Sequence, residues 1–522
     1  MEPPQSRPLC RPSGTYFEFA GKLYVVATKN NKLARLAQFL EKNWFIVFVL
    51  IILVSVIVRI YGITKASIWH DEGFSAMLAS RDWIGIWQGS ARDVHPPLYY
   101  GLLHAWTLIF GNSVLALRSL SATCGVVVVA LGYLITFKIS KKHTVAMLAG
   151  VFLALNPFLV RYSQEARMYG VLGVFLLVAM LGLIIIIQNN RNFLGYLLYI
   201  LGVAAGLYTH YFTALVVISF WGYVLVVYLR NKKDRISLLT NWRWWMANIM
   251  AFVLFLPWLP NMIKQLTRAQ GLGWLPKASL LTFNDTFWQF FTFTDAHKIW
   301  QPLYWAVPLL VLAVIIYTSL KDKSKERFSI LLILFTLLPV FLAIAVSFAR
   351  PIFHERYFVF SAIGFCLLLA FTVSYIFEKN KYLAVALAAL IILTQAVGLR
   401  NVNSQANHKM GQVMSNLNAN FTSGDIIISG ELYTYFDGSY YNNTGAKIYL
   451  YTQGGRPNGY GESGLIYDKD VYVDSYNQFK NGRVWLIGKT GQHDYYSNIP
   501  SNWKLVDTYT GGYSELRLYQ IQ

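Results

Sequence analysis

Cysteine is scarce in this 522-residue sequence, which contains three: Cys10, Cys124 and Cys366. The first lies in a polar amino-terminal stretch and the other two lie within apolar runs, so no cysteine follows residue 400. A disulfide framework is therefore excluded for the carboxy-terminal region, which must be held together by an apolar core.

Acidic residues are also few, because 25 Asp and Glu stand against 45 Lys and Arg and leave a net charge of +20. From Arg400 onward the sequence has ten residues of each sign, so the positive excess belongs to the part before it. That part is rich in long apolar runs, where basic residues set the topology and attract anionic lipids. A nucleic-acid partner is therefore not expected.

Two signals typical of other protein classes are missing as well. The sequence has no glycine-rich phosphate-binding loop of the Walker type, so nothing indicates a nucleotide site. The first 43 residues are polar and contain proline, unlike a cleavable signal peptide. We expect the first apolar run to serve as the targeting signal.

Apolar runs long enough to cross a bilayer core of roughly 30 Å are the abundant feature of the sequence. They exclude a soluble protein and predict a polytopic α-helical membrane protein. We predict eleven spans: Trp44–Tyr61, 114–137, 144–160, 168–187, 193–209, 212–229, 244–260, 303–320, 328–348, 357–377 and 382–399.

The positions of Lys and Arg predict the orientation of these spans, since short cytoplasmic loops carry the basic excess. With the amino terminus in the cytoplasm, the basic clusters all fall on the inner side of a plasma membrane. An odd number of spans then places the region after residue 400 outside. The inner clusters are Lys138/Lys141/Lys142, Arg191, Arg230/Lys232/Lys233/Arg235, Lys321/Lys323/Lys325/Arg327 and Lys379/Lys381.

Three regions follow from this topology. Residues 1–43 form a cytoplasmic tail, whose segment Asn31–Asn43 has leucines at helical spacing among basic residues and predicts an interfacial helix. Residues 44–400 form the membrane domain. Residues 401–522 form a small extracytoplasmic α/β domain, with a helix over 408–417 and strands over 425–429, 447–451, 483–487 and 514–521.

Polar clusters that combine acids, histidines, arginines and tyrosines all fall at the predicted outer ends of spans. Acidic residues are not typical of the interfacial aromatic belt, so we expect these segments to converge on one functional cavity. The clusters are Asp71-Glu72, His95-Pro96-Pro97-Leu98-Tyr99-Tyr100, Gln164-Glu165-Ala166-Arg167-Met168-Tyr169, Tyr208-Thr209-His210-Tyr211 and His354-Glu355-Arg356-Tyr357.

An Asp beside a Glu, with His and Arg nearby, suits a carboxylate general base and a cationic site for a phosphate leaving group. Arg356 and Arg167 are the best phosphate partners, because guanidinium binds phosphate through two parallel hydrogen bonds. No cofactor is required by this chemistry, but Asp71, Glu72, His95 and Glu165 are candidate ligands for a divalent metal ion.

The order of the motifs DE, HPPLYY, QEARMY, THY, LPWLP and ERY resembles that of the GT-C fold membrane glycosyltransferases. The resemblance covers roughly residues 44 to 400 and is to the branch of the protein O-mannosyltransferases and aminoarabinose transferases, the glycosyltransferase family 39-like enzymes. It implies transfer of a hexose or pentose from a polyprenyl-phosphate carrier to a lipid, glycan or protein acceptor on the outer face, with inversion at the anomeric carbon.

The resemblance also implies roles for residues. Asp71 would deprotonate the acceptor hydroxyl, Glu72 would orient acceptor or substrate, and the segment His95-Pro96-Pro97 would form the cavity floor. In this sequence the HPP motif is followed by Leu98-Tyr99-Tyr100, whereas protein O-mannosyltransferases have Gly-Lys there. This difference leaves the identity of the acceptor open. The residues expected to bind substrate or carrier phosphate are His95, Tyr99, Glu165, Arg167, Tyr169, His210, His354, Arg356 and Tyr357.

Other functions remain open at this point. A transporter or flippase of lipid-linked saccharides would also need many spans, although no internal repeat is visible. A polysaccharide polymerase or ligase would rely on basic loops rather than a carboxylate pair. A ligand-binding receptor would not need eleven spans, although Tyr433, Tyr435, Tyr440 and Tyr441 could stack on sugar rings.

Overall fold

The computed structural model describes residues 32–230, 238–267, 275, 277–279, 281–294, 300–404, 409–455, 459–467, 469–491, 496 and 498–522. The amino-terminal tail before Lys32, the basic turn at Lys232, Lys233 and Arg235, and the start of the predicted helix at His408 lie outside these residues. The described chain forms a large helical bundle, and a mixed sheet lies on one end of it.

Eighteen helices precede residue 405 in the described ranges. They are α1 Lys32–Lys42, α2 Trp44–Ile60, α3 His70–Ala79, α4 Trp83–Arg92, α5 Leu98–Phe110, α6 Val114–Ser140, α7 His143–Leu155, α8 Pro157–Ser163, α9 Tyr169–Gln188, α10 Phe193–Thr209, α11 Thr213–Arg230, α12 Trp242–Phe255, α13 Leu259–Thr267, α14 Thr282–Thr292, α15 Gln301–Lys321, α16 Phe328–Ala349, α17 Val359–Lys379 and α18 Lys381–Ser404.

Nine of the eleven predicted spans coincide with a single helix, and the spans 144–160 and 244–260 each run into a second helix of a bent pair. Over the described chain, seven helices are long and apolar enough to cross a membrane, and three bent helix pairs raise that number to ten. The eleventh predicted span, α10, is a shorter apolar helix. The structure therefore confirms a polytopic helical protein.

The bent pair α7–α8 shows how a local signal shapes a span. The two helices meet at an angle of 58°. Pro157 begins α8, and the Asn156 side chain accepts a hydrogen bond from the Leu159 amide at 3.0 Å, so the second helix has a cap of its own. The bend directs the end of α8 and the following turn, residues 164–168, toward the polar end of the bundle.

Two ends of the bundle are distinguished below. The cavity end is formed by residues 61–70, 164–168 and 350–358, together with α3, α4 and α5. The lysine end is formed by residues 138–142, 321–327 and 379–381. Because α6, α15 and α17 reach the lysine end and the helices that follow them return, the two groups of turns lie at opposite ends.

The carboxy-terminal unit contains α19 Met410–Asn420, α20 Leu432–Tyr441 and a six-stranded sheet in the order β3-β2-β1-β4-β6-β5. Strands β1 to β4 run parallel to one another, β6 pairs antiparallel with β4, and β5 pairs antiparallel with β6 at the sheet edge. The strands are β1 Ile426–Ser429, β2 Ile448–Tyr451, β3 Tyr472–Val473, β4 Gly482–Lys489, β5 Trp503–Gly511 and β6 Ser514–Ile521.

Both faces of this sheet are buried at its centre. Ile427 and Trp485 pair in register and pack with the helices toward the bundle, whereas Ile428 and Leu486 pair next to them and pack on the other face. This is the usual environment of central parallel strands, whose sequences are continuously apolar. The structure therefore confirms the predicted small α/β domain.

The sheet unit is fixed to the cavity end by close backbone contacts. Helix α20 crosses α3 at Gly73, where an added Cβ would lie 2.8 Å from the carbonyl carbon of Phe436. The Ile68 amide donates to the Tyr441 hydroxyl at 2.8 Å, and the Gly411 amide donates to the Ser67 hydroxyl at 3.1 Å. The segment just before Asp71 is thus held from the sheet side.

Candidate active site

A cavity of about 570 Å³ lies where the cavity end of the bundle meets the sheet unit. It is built from the start of α3, the segment between α4 and α5, the turn after α8, the turn before α17 and two loops of the sheet unit. Seven of the residues predicted from the sequence line it: Asp71, His95, Glu165, Arg167, His354, Arg356 and Tyr357.

Asp71 stands in the first turn of α3 and bears a buried carboxylate. Its Oδ2 atom lies 2.9 Å from Arg356 Nη1 and 3.7 Å from Arg167 Nε. Burial alone would raise the pKa of Asp71, but the two guanidinium groups outweigh it and lower the pKa to about 2. The carboxylate is therefore ionised at physiological pH, and the helix amino terminus favours the same charge state.

Arg167 retains hydrogen-bonding capacity toward the cavity. Its Nη1 atom donates to the Asp71 carbonyl and the Ser75 hydroxyl, both at 3.2 Å. Its buried Nε–H finds no acceptor among the described residues, although Asp71 is close enough for an ion pair. An anion that entered the cavity beside Asp71 could supply that acceptor.

Arg356 reaches the same carboxylate from the other side of the cavity. It belongs to a short 3₁₀ turn, Glu355–Phe358, which directs its side chain toward α3. Its guanidinium lies 5.6 Å from the centre of the Trp69 ring and 5.9 Å from that of Tyr357. Aromatic faces hold the charged group in place without neutralising it.

Glu72, the neighbour of Asp71, has a different environment and does not line the cavity. Its fully buried carboxylate accepts from Arg118 Nε at 2.8 Å, from Arg118 Nη2 at 2.5 Å and from the Ala166 amide at 2.7 Å. Arg118 in turn donates to the carbonyls of Ile63 and Ala66. In the structure Glu72 therefore joins α3, α6 and the 164–168 turn and is not part of the cavity wall.

Three more predicted residues lie behind the cavity wall. Tyr99 and Tyr169 are fully buried, and neither lines the cavity. The His210 ring packs 5.8 Å from His95 and 5.0 Å from Tyr357. Burial, His95 and the two arginines lower the pKa of His210 well below its usual value, so this imidazole is neutral.

The remaining acids and histidines of the wall are paired locally. Glu165 accepts from Arg161 at 2.7 Å, and Asp93 lies 3.2 Å from His95 Nδ1. Burial, followed by Arg356, lowers the pKa of His354 to about 3, which makes its ring neutral. Of the three arginines in the wall, Arg161 thus pairs with Glu165, whereas Arg167 and Arg356 flank Asp71.

Several wall residues were not among the predicted site residues, and six residues of the wall come from the sheet unit. Glu462 lies 2.5 Å from His70 Nε2, and the Tyr433 ring centre lies 4.2 Å from that of His70. Glycines are frequent around Glu462, and Gly461 has a φ of 65°, a conformation that favours glycine. Such glycines are a weak sequence signal that this backbone lies close to another segment. Tyr433 was expected only as a surface on which a sugar ring could stack. The other polar and aromatic wall residues outside the predicted site are Trp69, Phe74, Asp93, Arg161, Tyr162, Phe293, Tyr460, Glu462 and Ser463.

The structure does not bring together the four candidate metal ligands Asp71, Glu72, His95 and Glu165. Among the described residues, the group whose ligand atoms lie within 4.8 Å of one another is His70, Asp71 and Glu462. An imidazole and two carboxylates are suitable donors for a divalent cation. In this arrangement, however, Arg356 forms an ion pair with Asp71 Oδ2 and so supplies positive charge at the place where a metal ion would bind.

Comparison with known proteins gives one family match and several structures of similar architecture. Residues 94–260 match the family described as dolichyl-phosphate-mannose-protein mannosyltransferase. The structure is similar to that of ArnT from Cupriavidus metallidurans bound to undecaprenyl phosphate, with a TM-score of 0.59, 11% identity, and coverage of 91% of this chain and 98% of ArnT. The apo state of ArnT gives a TM-score of 0.58 at 12% identity, with the same coverage of both chains.

The apo oligosaccharyltransferase of Archaeoglobus fulgidus is also similar, with a TM-score of 0.51 and 14% identity over 92% of this chain and 74% of that one. No curated protein matches the chain by sequence. The shared architecture confirms the GT-C fold expected from the motifs, and the family match covers residues 94–260 of the same membrane region.

Proposed function

We propose that this protein is an inverting glycosyltransferase, which transfers a sugar from a polyprenyl-phosphate carrier to an acceptor hydroxyl. One observation carries the proposal: a buried, ionised Asp71 lies between Arg167 and Arg356 in the wall of a cavity at one end of a GT-C bundle. An anionic base beside two cations is the arrangement that acceptor deprotonation and phosphate departure require.

The donor side of the proposal depends on charge. Asp71, Arg167 and Arg356 together carry one net positive charge, which matches the single negative charge of a phosphodiester-linked sugar. The free hydrogen-bonding capacity of Arg167 Nε lies at the same place. The similar ArnT structure holds undecaprenyl phosphate, which supports a carrier of this class.

The chemistry follows from these positions. Asp71 takes the proton of the acceptor hydroxyl as that oxygen attacks the anomeric carbon of the sugar. The bond from the anomeric carbon to the phosphate oxygen breaks, its electron pair stays on the phosphate, and Arg167 and Arg356 stabilise the new charge. Attack opposite the leaving phosphate inverts the configuration of the anomeric carbon.

Arg167 and Arg356 explain why Asp71 can act as the base although its pKa is low. Without donor, both guanidinium groups stabilise the anion and weaken it as a proton acceptor. When they bind the donor phosphate, part of this stabilisation is lost and the proton affinity of Asp71 rises. We infer that donor binding activates the base.

The sidedness of the reaction is part of the proposal. Lysine and arginine positions predict that the lysine end faces the cytoplasm. The cavity and the sheet unit are then extracytoplasmic, where a lipid-linked donor removes the need for a nucleotide sugar. The cavity volume suits one sugar ring with its phosphate, and Trp69, Tyr433 and Tyr460 supply aromatic faces for it.

A donor panel tests this function directly. Full-length protein in detergent is incubated with polyprenyl-phosphate-linked hexoses and pentoses, and release of polyprenyl phosphate is measured for wild type, Asp71→Asn and the control Asp470→Asn, whose side chain is 99% exposed. We expect turnover of one donor by wild type and the control and none by Asp71→Asn. Equal turnover by Asp71→Asn would reject Asp71 as the base. No turnover of any donor would reject the transferase and favour transport of lipid-linked saccharides.

A further inference from the structure

A second cavity, of about 250 Å³, opens at the lysine end of the bundle. It lies between the end of α6, the turn that joins α15 to α16, and the last turn of α17. None of the segments that build the active-site cavity contributes to it. Its polar wall includes Lys142, Lys321, Lys323, Ser324, Ser329 and Tyr375. We call it the lysine-end cavity.

Both acids of this cavity already have partners in the protein. The Asp322 carboxylate accepts from the Ser324 amide at 2.9 Å, from the Ser324 hydroxyl at 2.5 Å and from the Ser329 amide at 2.9 Å. Glu378 pairs with Lys142 at 2.9 Å. Each acid therefore serves the local structure, and three lysines against two acids leave the wall one positive charge in excess.

Lys321 and Lys323 flank Asp322 and carry the excess charge of the wall. Lys321 also lies close enough to Lys379 for the two ammonium groups to repel each other. Repulsion between neighbouring lysines at the end of two packed helices is unfavourable unless an anion lies near them. The charge of this wall thus matches a negatively charged ligand.

A buried hydroxyl points to the same ligand chemistry. Ser329 is 5% exposed, lines the cavity, and its Oγ has no hydrogen-bond partner among the described residues. It stands in the first turn of α16, where its backbone amide already donates to Asp322, so its hydroxyl is the group that remains for a ligand. Hydroxyls are common donors to phosphate oxygens.

We propose that the lysine-end cavity binds the phosphate group of an anionic phospholipid headgroup. Ile139, Val145 and Phe371 share the wall with the polar residues, and they offer apolar contact to acyl chains beside the headgroup. Basic cavities between membrane helices at the cytoplasmic face recognise anionic lipids in this way. The proposal does not depend on glycosyl transfer and would stand if the proposed function failed.

The test measures thermal unfolding of the full-length protein in a neutral detergent with three probes. These are dioleoyl phosphatidylglycerol, dioleoyl phosphatidylcholine, and inorganic phosphate with ionic strength held constant by sodium chloride. We expect a saturable rise in Tm with phosphatidylglycerol. The double variant Lys321→Gln/Lys323→Gln should weaken this response by roughly tenfold in concentration, because two cations that face the headgroup are lost.

Ser329→Ala provides a second, sharper variant. Its Oγ makes no hydrogen bond among the described residues, so removal should leave Tm without lipid unchanged. Its apparent affinity for phosphatidylglycerol should nevertheless fall by roughly fivefold. Lys381→Gln is the matched control, since Lys381 lies at the same end and is not part of the cavity wall.

The outcomes separate the two sources of phosphate. A response to phosphatidylglycerol alone, weakened in both test variants and kept in Lys381→Gln, supports the lipid site. The same pattern with inorganic phosphate supports the phosphate site with a free anion as ligand. Equal affinity of all variants, equal binding of phosphatidylcholine, or no saturable response to either anion would overturn the proposal.

Discussion

Asp71 and Glu72 show how two adjacent carboxylates acquire different roles at the residue scale. Successive helix positions differ by about 100° around the axis, so the first turn of α3 directs one carboxylate into the cavity and the other into the protein. Asp71 meets two arginines at the cavity wall, and Glu72 meets Arg118 and a backbone amide in a dry interior. Asp71 is thus suited to react, and Glu72 is suited to stabilise the fold.

The first residue-scale prediction concerns Glu72. Glu72→Gln leaves the Arg118 guanidinium buried without its charge partner, and we expect a loss of about 3 kcal/mol of stability. The double variant Glu72→Met/Arg118→Met should recover part of this loss, because it removes both charges. Thermal unfolding of the purified variants measures the effect. A Glu72→Gln protein as stable as wild type but inactive would instead assign Glu72 to the chemistry.

A second prediction concerns Asp437 in α20. Burial, and then the charge of Glu72, raise the pKa of Asp437 well above its usual value, and its Oδ1 has no hydrogen-bond partner among the described residues. An acid with a raised folded-state pKa costs no stability below the unfolded pKa of about 3.9. Its cost grows as pH rises from there toward the folded pKa.

Asp437→Asn should therefore raise the Tm of the full-length protein, by more at about pH 8 than at about pH 5. The exposed Asp470→Asn is the matched control and should change neither value. The same Tm difference at both pH values would show that the Asp437 carboxylate does not titrate in this interval.

At the scale of elements, the crossing of α3 and α20 positions the cavity. Gly73 permits the approach, because a side chain there would collide with the Phe436 backbone. Gly73→Ala should separate the two helices, cost about 1 to 3 kcal/mol and reduce turnover. Gly222→Ala in α11 is the matched control: its Cβ would meet neighbours at ordinary distances of 3.7 and 3.8 Å, so it should be neutral or slightly stabilising.

Comparison of the elements with the sequence shows which signals were sufficient. Long apolar runs identified the spans, since burial in a bilayer demands them. Helices α3, α4 and α20 were missed because short helices of mixed composition carry little periodicity. Strand β5 was missed because most of its residues are exposed at the sheet edge, so its sequence lacks an apolar pattern.

At the scale of the whole molecule, four of the five predicted polar clusters contribute to the cavity wall, and the His210 cluster packs directly behind it. Topology made this convergence predictable, because the ends of alternate spans meet at one face. The part of the cavity wall that the sheet unit contributes could not be predicted from the sequence. Glu462 and Tyr433 are far from Asp71 in sequence, and their approach depends on how the sheet unit sits on α3.

The sheet unit should therefore affect the substrate more than the carrier. Tyr433 faces the cavity beside His70 and lies apart from the two arginines, so Tyr433→Ala should raise the KM for acceptor or donor sugar by roughly tenfold. Binding of free polyprenyl phosphate should change by less than about twofold, because the arginines are untouched. Tyr382→Ala, exposed at the lysine end, is the control. An equal loss of polyprenyl phosphate binding would contradict this division of roles.

The central claim is that Asp71 and the donor phosphate share Arg167 and Arg356. Equilibrium binding of a labelled short-chain polyprenyl phosphate to full-length wild type, Asp71→Asn and Arg356→Gln tests it most directly. The account predicts that Asp71→Asn, although inactive in transfer, binds the phosphate roughly three- to tenfold more tightly than wild type, because a competing anion is removed. Arg356→Gln should bind at least roughly tenfold more weakly. Unchanged or weaker binding by Asp71→Asn would contradict the account.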